Sequence, residues 1–308
     1  MLATVMVRAL ERTLPLVPRP VAPAVSQIAG TVAYLTSGKA RAAVRANQLV
    51  VAPGRRPRVR RTFVNQSRNY LDTFRLFRES PERVREWVET EHWDRFLDAH
   101  ALGRGVVIAS AHFGPVNVCG QILITRGYST TMPVEDEMSE FARAINRARS
   151  AFGATFIATS SARGIYRVLR EGGVLGVIAD RAVTGTGERV EFFGREVLLP
   201  SAHIALALRS RSVILPAFAY RRRGGKVSLL FEPPLDLVDT GDHDADVRRG
   251  MREFARVMEG HISAHPEEWA VFEPMFRSDS VGQSPPSPKP SPLRWLRLLR
   301  SEGPKRRG

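Results

Sequence analysis

Cysteine is almost absent from this chain: Cys119 is the single one in 308 residues. That excludes an internal disulfide and a zinc site built from several thiolates, and it makes a reducing cytoplasm the default expectation. In its apolar setting Cys119 reads as core packing rather than as a nucleophile. No run of 18 apolar residues occurs, so no membrane-spanning helix is expected. Acidic residues are in short supply, 31 against 46 Lys and Arg, leaving a net charge of +15. Such an excess speaks to anionic partners (nucleic acid, anionic lipid or phosphorylated substrates) rather than to fold. There is no Gly-x-Ser-x-Gly elbow to raise a nucleophilic serine, so Ser110 and Ser201 read as structural. His261 and His265 have the i, i+4 spacing of a metal pair, but the glutamate that follows the first zincin histidine is missing and Pro266 ends the helix. No metal site is expected there. Gly185-Thr-Gly187 is too short for a phosphate or dinucleotide loop.

The remaining composition, 43% hydrophobic and 25% charged, suits a large globular core. Residues 1 to about 100 read as helices. Leu2, Val5, Met6, Ala9, Leu10 and Leu14 share one helical face, which either packs on the domain or lies in a membrane surface. This N-terminal stretch is too broken by Arg8, Glu11 and Arg12 for a signal peptide. Phe63, Tyr70, Phe74 and Phe77 recur at helical spacing as a core stripe, with an acyl-chain surface as the alternative.

From residue 105 short apolar runs alternate with helix-length segments. Strands are expected at 105–111, 129–134, 154–159 and 172–180, with helices at about 115–125, 137–152, up to 170 and, after a Gly-rich loop, 200–210. Apolar runs alternating with helices argue for strands buried on both faces of a largely parallel sheet. Residues 212–234 read as a strand pair turning at Gly224-Gly225. Val247, Met251, Phe254, Met258 and Ile262 mark a last amphipathic helix. The expectation is therefore an α/β fold: a central, mostly parallel sheet flanked by helices, with a helical N-terminal region, in one domain over 1–279. Residues 280–308 form a Pro/Ser linker followed by a basic-hydrophobic tail around Trp295, expected to be disordered or to anchor at a membrane surface.

Chemistry concentrates in "IASAHFGPVN" (108–117). His112 stands at the C-terminal end of a predicted central strand, the edge at which open α/β sheets bind ligands. An imidazole there can serve as a general base near neutral pH. Gly114, with Pro115, opens the next helix, whose N-terminus offers N–H groups to an oxyanion or phosphate. Arg181, at another strand end, and Arg163 and Arg195 are candidate phosphate-recognising groups, because a planar guanidinium binds two oxygens at once. Each also has a plain reading as a solvated surface charge. Asp180 reads as a turn cap, and the acidic run Glu135-Asp136-Glu137 as a helix N-terminus.

Three passages in order, "ASAHFGPVN", "GGVLGVIADRAVTGTGERVEFFGREVLLPSAHIALALRSRSVILPAFAYR" and "HPEEWAVFEPMF", resemble the bacterial lysophospholipid-type acyltransferases, particularly the lipid A late acyltransferases and the phosphatidylinositol mannoside acyltransferases. The resemblance covers roughly 1–277 and is closest over 105–235. It implies transfer of a fatty acyl group from a coenzyme A or carrier-protein thioester to a hydroxyl of a (glyco)lipid acceptor, with His112 as general base and no covalent acyl-enzyme. It implies no cofactor beyond the acyl thioester co-substrate.

The departure is Asn117, which stands where the family carries Asp or Glu. An amide can orient the imidazole but offers it no charge. Three readings stand: another carboxylate substitutes, the acceptor needs a weaker base, or the protein is a reduced relative. The first is preferred, with Glu188 and Glu191, which resemble the region supplying an active-site glutamate in relatives. The expected partners are an anionic membrane surface, a lipid acceptor and an acyl thioester, bound by a monomer held peripherally at the cytoplasmic face of the cell membrane. The rivals are a non-catalytic lipid-binding relative and a nucleic-acid-binding protein. No nucleic-acid motif supports the latter.

Overall fold

The computed structural model describes residues 2–136, 138–182 and 185–276; the linker and tail expected over 280–308 lie outside the described residues. The N-terminal part comprises α1 (Leu2–Thr13), α2 (Ala22–Thr36), α3 (Gly38–Val51), α4 (Val59–Arg75) and α5 (Pro81–Trp87), then β1 (Val88–Glu91) and α6 (Trp93–Ala101). There follow β2 (Val106–Ser110), α7 (Val116–Cys119), α8 (Gln121–Thr125), β3 (Thr130–Val134), α9 (Glu140–Arg149), β4 (Thr155–Ala158), α10 (Ala162–Arg170) and β5 (Val174–Ile178). The chain continues through β6 (Glu188–Phe192), β7 (Arg195–Leu199), α11 (Ala202–Ser210), β8 (Val213–Arg221), β9 (Val227–Phe231) and α12 (His243–Ala264).

Seven strands form one sheet in the order β1-β9-β8-β2-β5-β3-β4, and β6 and β7 form a separate hairpin. Every pairing in the large sheet is parallel except β8–β9. The alternation of buried strands and crossover helices read from the sequence is thus realised, as is the antiparallel pair turning at Gly224-Gly225, where both φ values are positive (76° and 83°). β2, at the centre, is buried along its whole length. One core packs on each face: Val107, Leu175, Phe218 and Phe254 on one, and Val106, Ile108, Phe96 and Phe231 on the other.

Local chemistry corrects several boundaries. β1 lies inside the stretch expected to be wholly helical: "VETE" alternates with a period of two, but four residues with two glutamates give no apolar run to recognise. The loop expected before Phe192 is instead the hairpin β6–β7. Val190, Phe192, Val197 and Leu199 point inward, and Phe193-Gly194, both with positive φ, supply the two-residue turn. Helix α9 starts three residues later than expected because Ser139 caps it, accepting from Ala142 N at 3.1 Å. Helix α1 buries Val7, while Val5 and Met6 of its predicted apolar face stand exposed. Phe63 and Phe74 are core residues, Tyr70 lines a cavity and Phe77 is exposed.

Helix α4 joins the N-terminal helices to the sheet. Gly30 of α2 crosses it so closely that a Cβ would come within 2.5 Å of Val64 Cα. Asp72 of α4 is fully buried and takes Arg68 at 3.0 Å, Arg75 at 3.2 Å and Arg221 of β8 at 2.8 Å. Removing the one carboxylate among three arginines leaves buried cations uncompensated. Asp72→Ala is therefore expected to lower the unfolding free energy by about 3–5 kcal/mol, measured by urea unfolding.

Candidate active site

β2 and β5 lie side by side and parallel, Ser110 opposite Ile178, and Ala179 N extends the ladder to Ser110 O at 2.8 Å. Two residues further on, each strand delivers one polar side chain into the crevice, His112 and Asp180. The ring Nδ1 of His112 lies 2.7 Å from Asp180 Oδ1, and the backbone N–H of His112 donates to Asp180 Oδ2 at 3.0 Å. Trp269 Nε1 donates to the same Oδ2 at 2.8 Å. Burial alone would push the Asp180 carboxyl up; the His112 charge and the hydrogen bonds from the His112 ring, Trp269 and the His112 amide outweigh it and hold the group below the usual carboxylate range. An ionised carboxylate only accepts, so in the neutral form of the ring Nδ1 carries the hydrogen and Nε2 keeps the lone pair.

The loop carrying His112 is fixed by other parts of the chain. Ala270 N donates to His112 O at 2.7 Å, Gly114 N to Glu268 O at 3.0 Å, and Asn69 Nδ2 to Gly114 O at 2.9 Å. Gly114 has φ 58°, and a Cβ there would lie 2.0 Å from Ala219 O. Glycine is required at this position by close approach as well as by conformation. Its N–H is already engaged, and α7 is only four residues long, so the helix N-terminus offers less to an anion than the sequence suggests.

His112 opens on a cavity of about 1350 Å³. β3 pairs with β5 only at Thr130–Val174 and Thr131–Leu175, although both strands run on. The sheet therefore parts, and Pro133 and Val134 of one strand and Gly176 to Ile178 of the other line the opening. Its apolar lining includes Ile165, Leu175, Val177, Ala205, Leu206 and Val247. Charged and polar side chains stand among these, Glu135, Asn146 and Arg149 from the β3–α9 region and Glu188, Arg209 and Arg248 from β6, α11 and α12.

The expected site residues separate into two sets. His112, Gly114, Asn117, Arg181 and Glu188 line this cavity. Asn117 is not what holds His112; the carboxylate at the imidazole is that of Asp180, reached through strand register rather than through α7. Glu188 is half-buried, and burial pushes its carboxyl up, with Asp244 adding to that and Arg248 opposing it. Glu191 is three residues along the same strand, and alternation turns it to the exposed face opposite Glu196. Arg195 on β7 and Arg163 on α10 are likewise exposed and do not line the cavity. Arg181 is bonded to Glu273 at 2.6 Å; burial lowers its pKa, and that carboxylate, with Asp180 and Glu135, raises it by more. Glu137 lies outside the described residues; Asp136 accepts from Ser160 at 2.7 Å. His261 is stacked on Phe218 at 3.8 Å and faces Glu232 at 3.0 Å, away from the cavity. Cys119 is buried, and burial pushes its thiol up.

The sequence reading missed Asp180 as a partner of His112, and with it Trp269. The available signal was positional: two apolar runs that end directly at His112 and at Asp180, as neighbouring parallel strands would.

The model of the bacterial lipid A biosynthesis acyltransferase family matches residues 2–278, so the chain belongs to that family and is an acyltransferase. Over 227 residues it is 24% identical to the phosphatidylinositol mannoside acyltransferase of Mycolicibacterium smegmatis, covering 72% of this chain and 73% of that protein. The phosphatidylinositol mannoside acyltransferase of Mycobacterium tuberculosis is 28% identical over 195 residues, 61% of this chain and 59% of the relative. The lipid A biosynthesis palmitoleoyltransferase of Escherichia coli is 23% identical over 206 residues, 66% and 65% of the two chains.

Because Asp180 titrates lower in the folded chain than the roughly 3.9 of an unfolded aspartate, its stabilising contribution is complete above that value and is lost as pH falls through the folded pKa. Asp180→Asn is expected to lose about 1–3 kcal/mol of stability at pH 7. The difference from wild type should shrink towards pH 3, measured by denaturant unfolding at the two pH values.

Proposed function

We propose that this acyltransferase moves a fatty acyl group from a thioester, on coenzyme A or a carrier protein, to a hydroxyl of a glycolipid acceptor, with His112 as general base. The observation that carries this is the His112–Asp180 pair, with His112 lining a large cavity whose wall mixes apolar with charged and polar side chains. The acceptor hydroxyl gives its proton to His112 Nε2 as its oxygen attacks the thioester carbonyl. The tetrahedral intermediate collapses with cleavage of the C–S bond, and the thiolate takes the proton back from the imidazolium. Asp180 fixes the ring and offsets the charge it gains, the part assigned elsewhere in the family to the position of Asn117. Glu188 and Arg181 are suited to the acceptor's hydroxyl and phosphate groups. Glu191, Arg163 and Arg195 have no part in the step.

The lipid-binding reading rested on Asn117; the Asp180 carboxylate on the imidazole supports the catalytic reading instead. Membrane association is peripheral in this proposal. Among the described residues no helix is long and apolar enough to cross a bilayer. Exposed Ile28, Val32 and Leu35 lie on α2, in a stretch without charge from Pro20 to Gly38, and Val5 and Met6 are exposed on α1. Arg19, Lys39 and Arg41 flank that stretch, which suits an anionic cytoplasmic leaflet.

Labelled palmitoyl-coenzyme A, or the palmitoyl-carrier protein, is incubated with total membrane lipid and either wild type or His112→Ala. Transfer by the wild type alone is expected, and equal transfer by the variant would exclude His112 as base. Asp180→Asn should lower the rate by roughly two to four orders of magnitude. Asn117→Asp, by contrast, should stay within about tenfold of wild type, since Asp180 already carries the charge; a severe loss in a folded protein would give Asn117 a role of its own.

A further inference from the structure

The arginines of α9 are not equivalent. Arg143 is paired with Glu140 at 2.7 Å and Arg147 with Glu11 at 2.7 Å, both near the surface. Arg149, in the cavity wall, has no carboxylate within salt-bridge distance among the described residues. Its Nη1 donates to Asn146 Oδ1 at 3.0 Å, its Nη2 reaches only the thioether of Met132, and its Nε is buried without a partner. The guanidinium carbon lies 5.3 Å from the Phe156 ring centroid. Asn146, also in the cavity wall, donates through Nδ2 to the thioether of Met138 at 3.1 Å.

Two strong donors in a substrate cavity thus meet sulfur, a weak acceptor, where oxygen is the ordinary partner. Nε and Nη2 form the edge of a guanidinium that grips two oxygens at once, and it is this edge that meets no oxygen. A partly buried cation without a counter-charge is costly, and burial pushes its pKa down to about 10, so it remains protonated at neutral pH. Methionine is unbranched and flexible, which lets Met132 swing aside for a larger acceptor.

We propose that Arg149, with Asn146, forms a subsite for a phosphate group of a substrate. Two sources fit the chemistry: a phosphodiester of the acceptor's headgroup and a phosphate of the donor's pantetheine arm. The inference rests on reading this cavity as the substrate site, but its test is equilibrium binding and needs no turnover.

Wild type and Arg149→Gln are titrated by calorimetry, in phosphate-free buffer, with coenzyme A and with glycerophosphoinositol. Pantetheine and inositol serve as phosphate-free counterparts. At least one phosphate-bearing probe is expected to bind the wild type and to lose about tenfold to a hundredfold in affinity in the variant. Loss for coenzyme A alone assigns the donor, loss for glycerophosphoinositol alone the acceptor, and loss for both a subsite open to either. No binding of either phosphate-bearing probe to wild type at millimolar concentration, unchanged affinities in the variant, or equal weakening of the phosphate-free counterparts overturns the proposal. Where Arg149→Gln does not fold, Arg149→Lys takes its place, keeping the charge but not the fork, and a loss of several-fold is expected; unchanged binding would again overturn it.

Discussion

A carboxylate fully removed from water is the constraint on which the site depends. Burying an aspartate unpaired would cost several kcal/mol, and Asp180 is tolerated because three donors converge on it: the His112 ring, the His112 amide and the Trp269 indole. These donors come from two distant parts of the chain. Residues 266–271 have no regular structure beyond a short turn, yet they run along the loop that carries His112, Ala270 on the His112 carbonyl and Glu268 on the Gly114 amide. The segment that satisfies Asp180 through Trp269 therefore also holds the backbone of His112 and Gly114, so the stability of the crevice and the orientation of the imidazole are not separable properties.

A second network reaches the loop from the N-terminal helices. Asp72 holds Arg221, Arg221 Nη2 donates to Asn69 Oδ1 at 2.9 Å, and Asn69 donates onward to the Gly114 carbonyl. Helix α4 thus carries a polar chain from the buried arginines to the residue after Phe113, while its neighbour α2 presents exposed apolar side chains outward. In the proposed function this gives α4 two connected duties: it backs the surface suited to lipid, and it braces the loop that does the chemistry.

Much of this was legible in the chain before any coordinates. Apolar runs of strand length, alternating with helices, gave the parallel sheet, and a histidine ending one of those runs pointed to the crevice. What escaped was information held in register and parity. Whether Asp180 or Glu188 approaches His112 depends on β2 lying next to β5, and adjacency of strands 64 residues apart leaves no mark on either segment. Glu188 and Glu191 looked equivalent as loop residues; once they lie on a strand, three residues' separation puts them on opposite faces. For α1 both packing and exposure were left open, since helical periodicity identifies an apolar face but not what covers it; Val5 and Met6 are exposed.

The register also accounts for Asn117. Parallel neighbours deliver matched positions to the same height, so residues 112 and 180 must emerge together as long as the ladder continues past Ser110 and Ile178. Position 117, by contrast, is held by α7, a four-residue segment whose orientation is set by Pro115 and the turn at Gly120. A carboxylate supplied by the sheet is fixed by more hydrogen bonds than one supplied by that short helix. In the proposed function the charge at the imidazole comes from Asp180, and an amide at position 117, in the cavity wall, can meet a polar acceptor without adding a negative charge to that wall. On this reasoning an amide at position 117 is compatible with the proposed function, because the imidazole already has a carboxylate on its Nδ1.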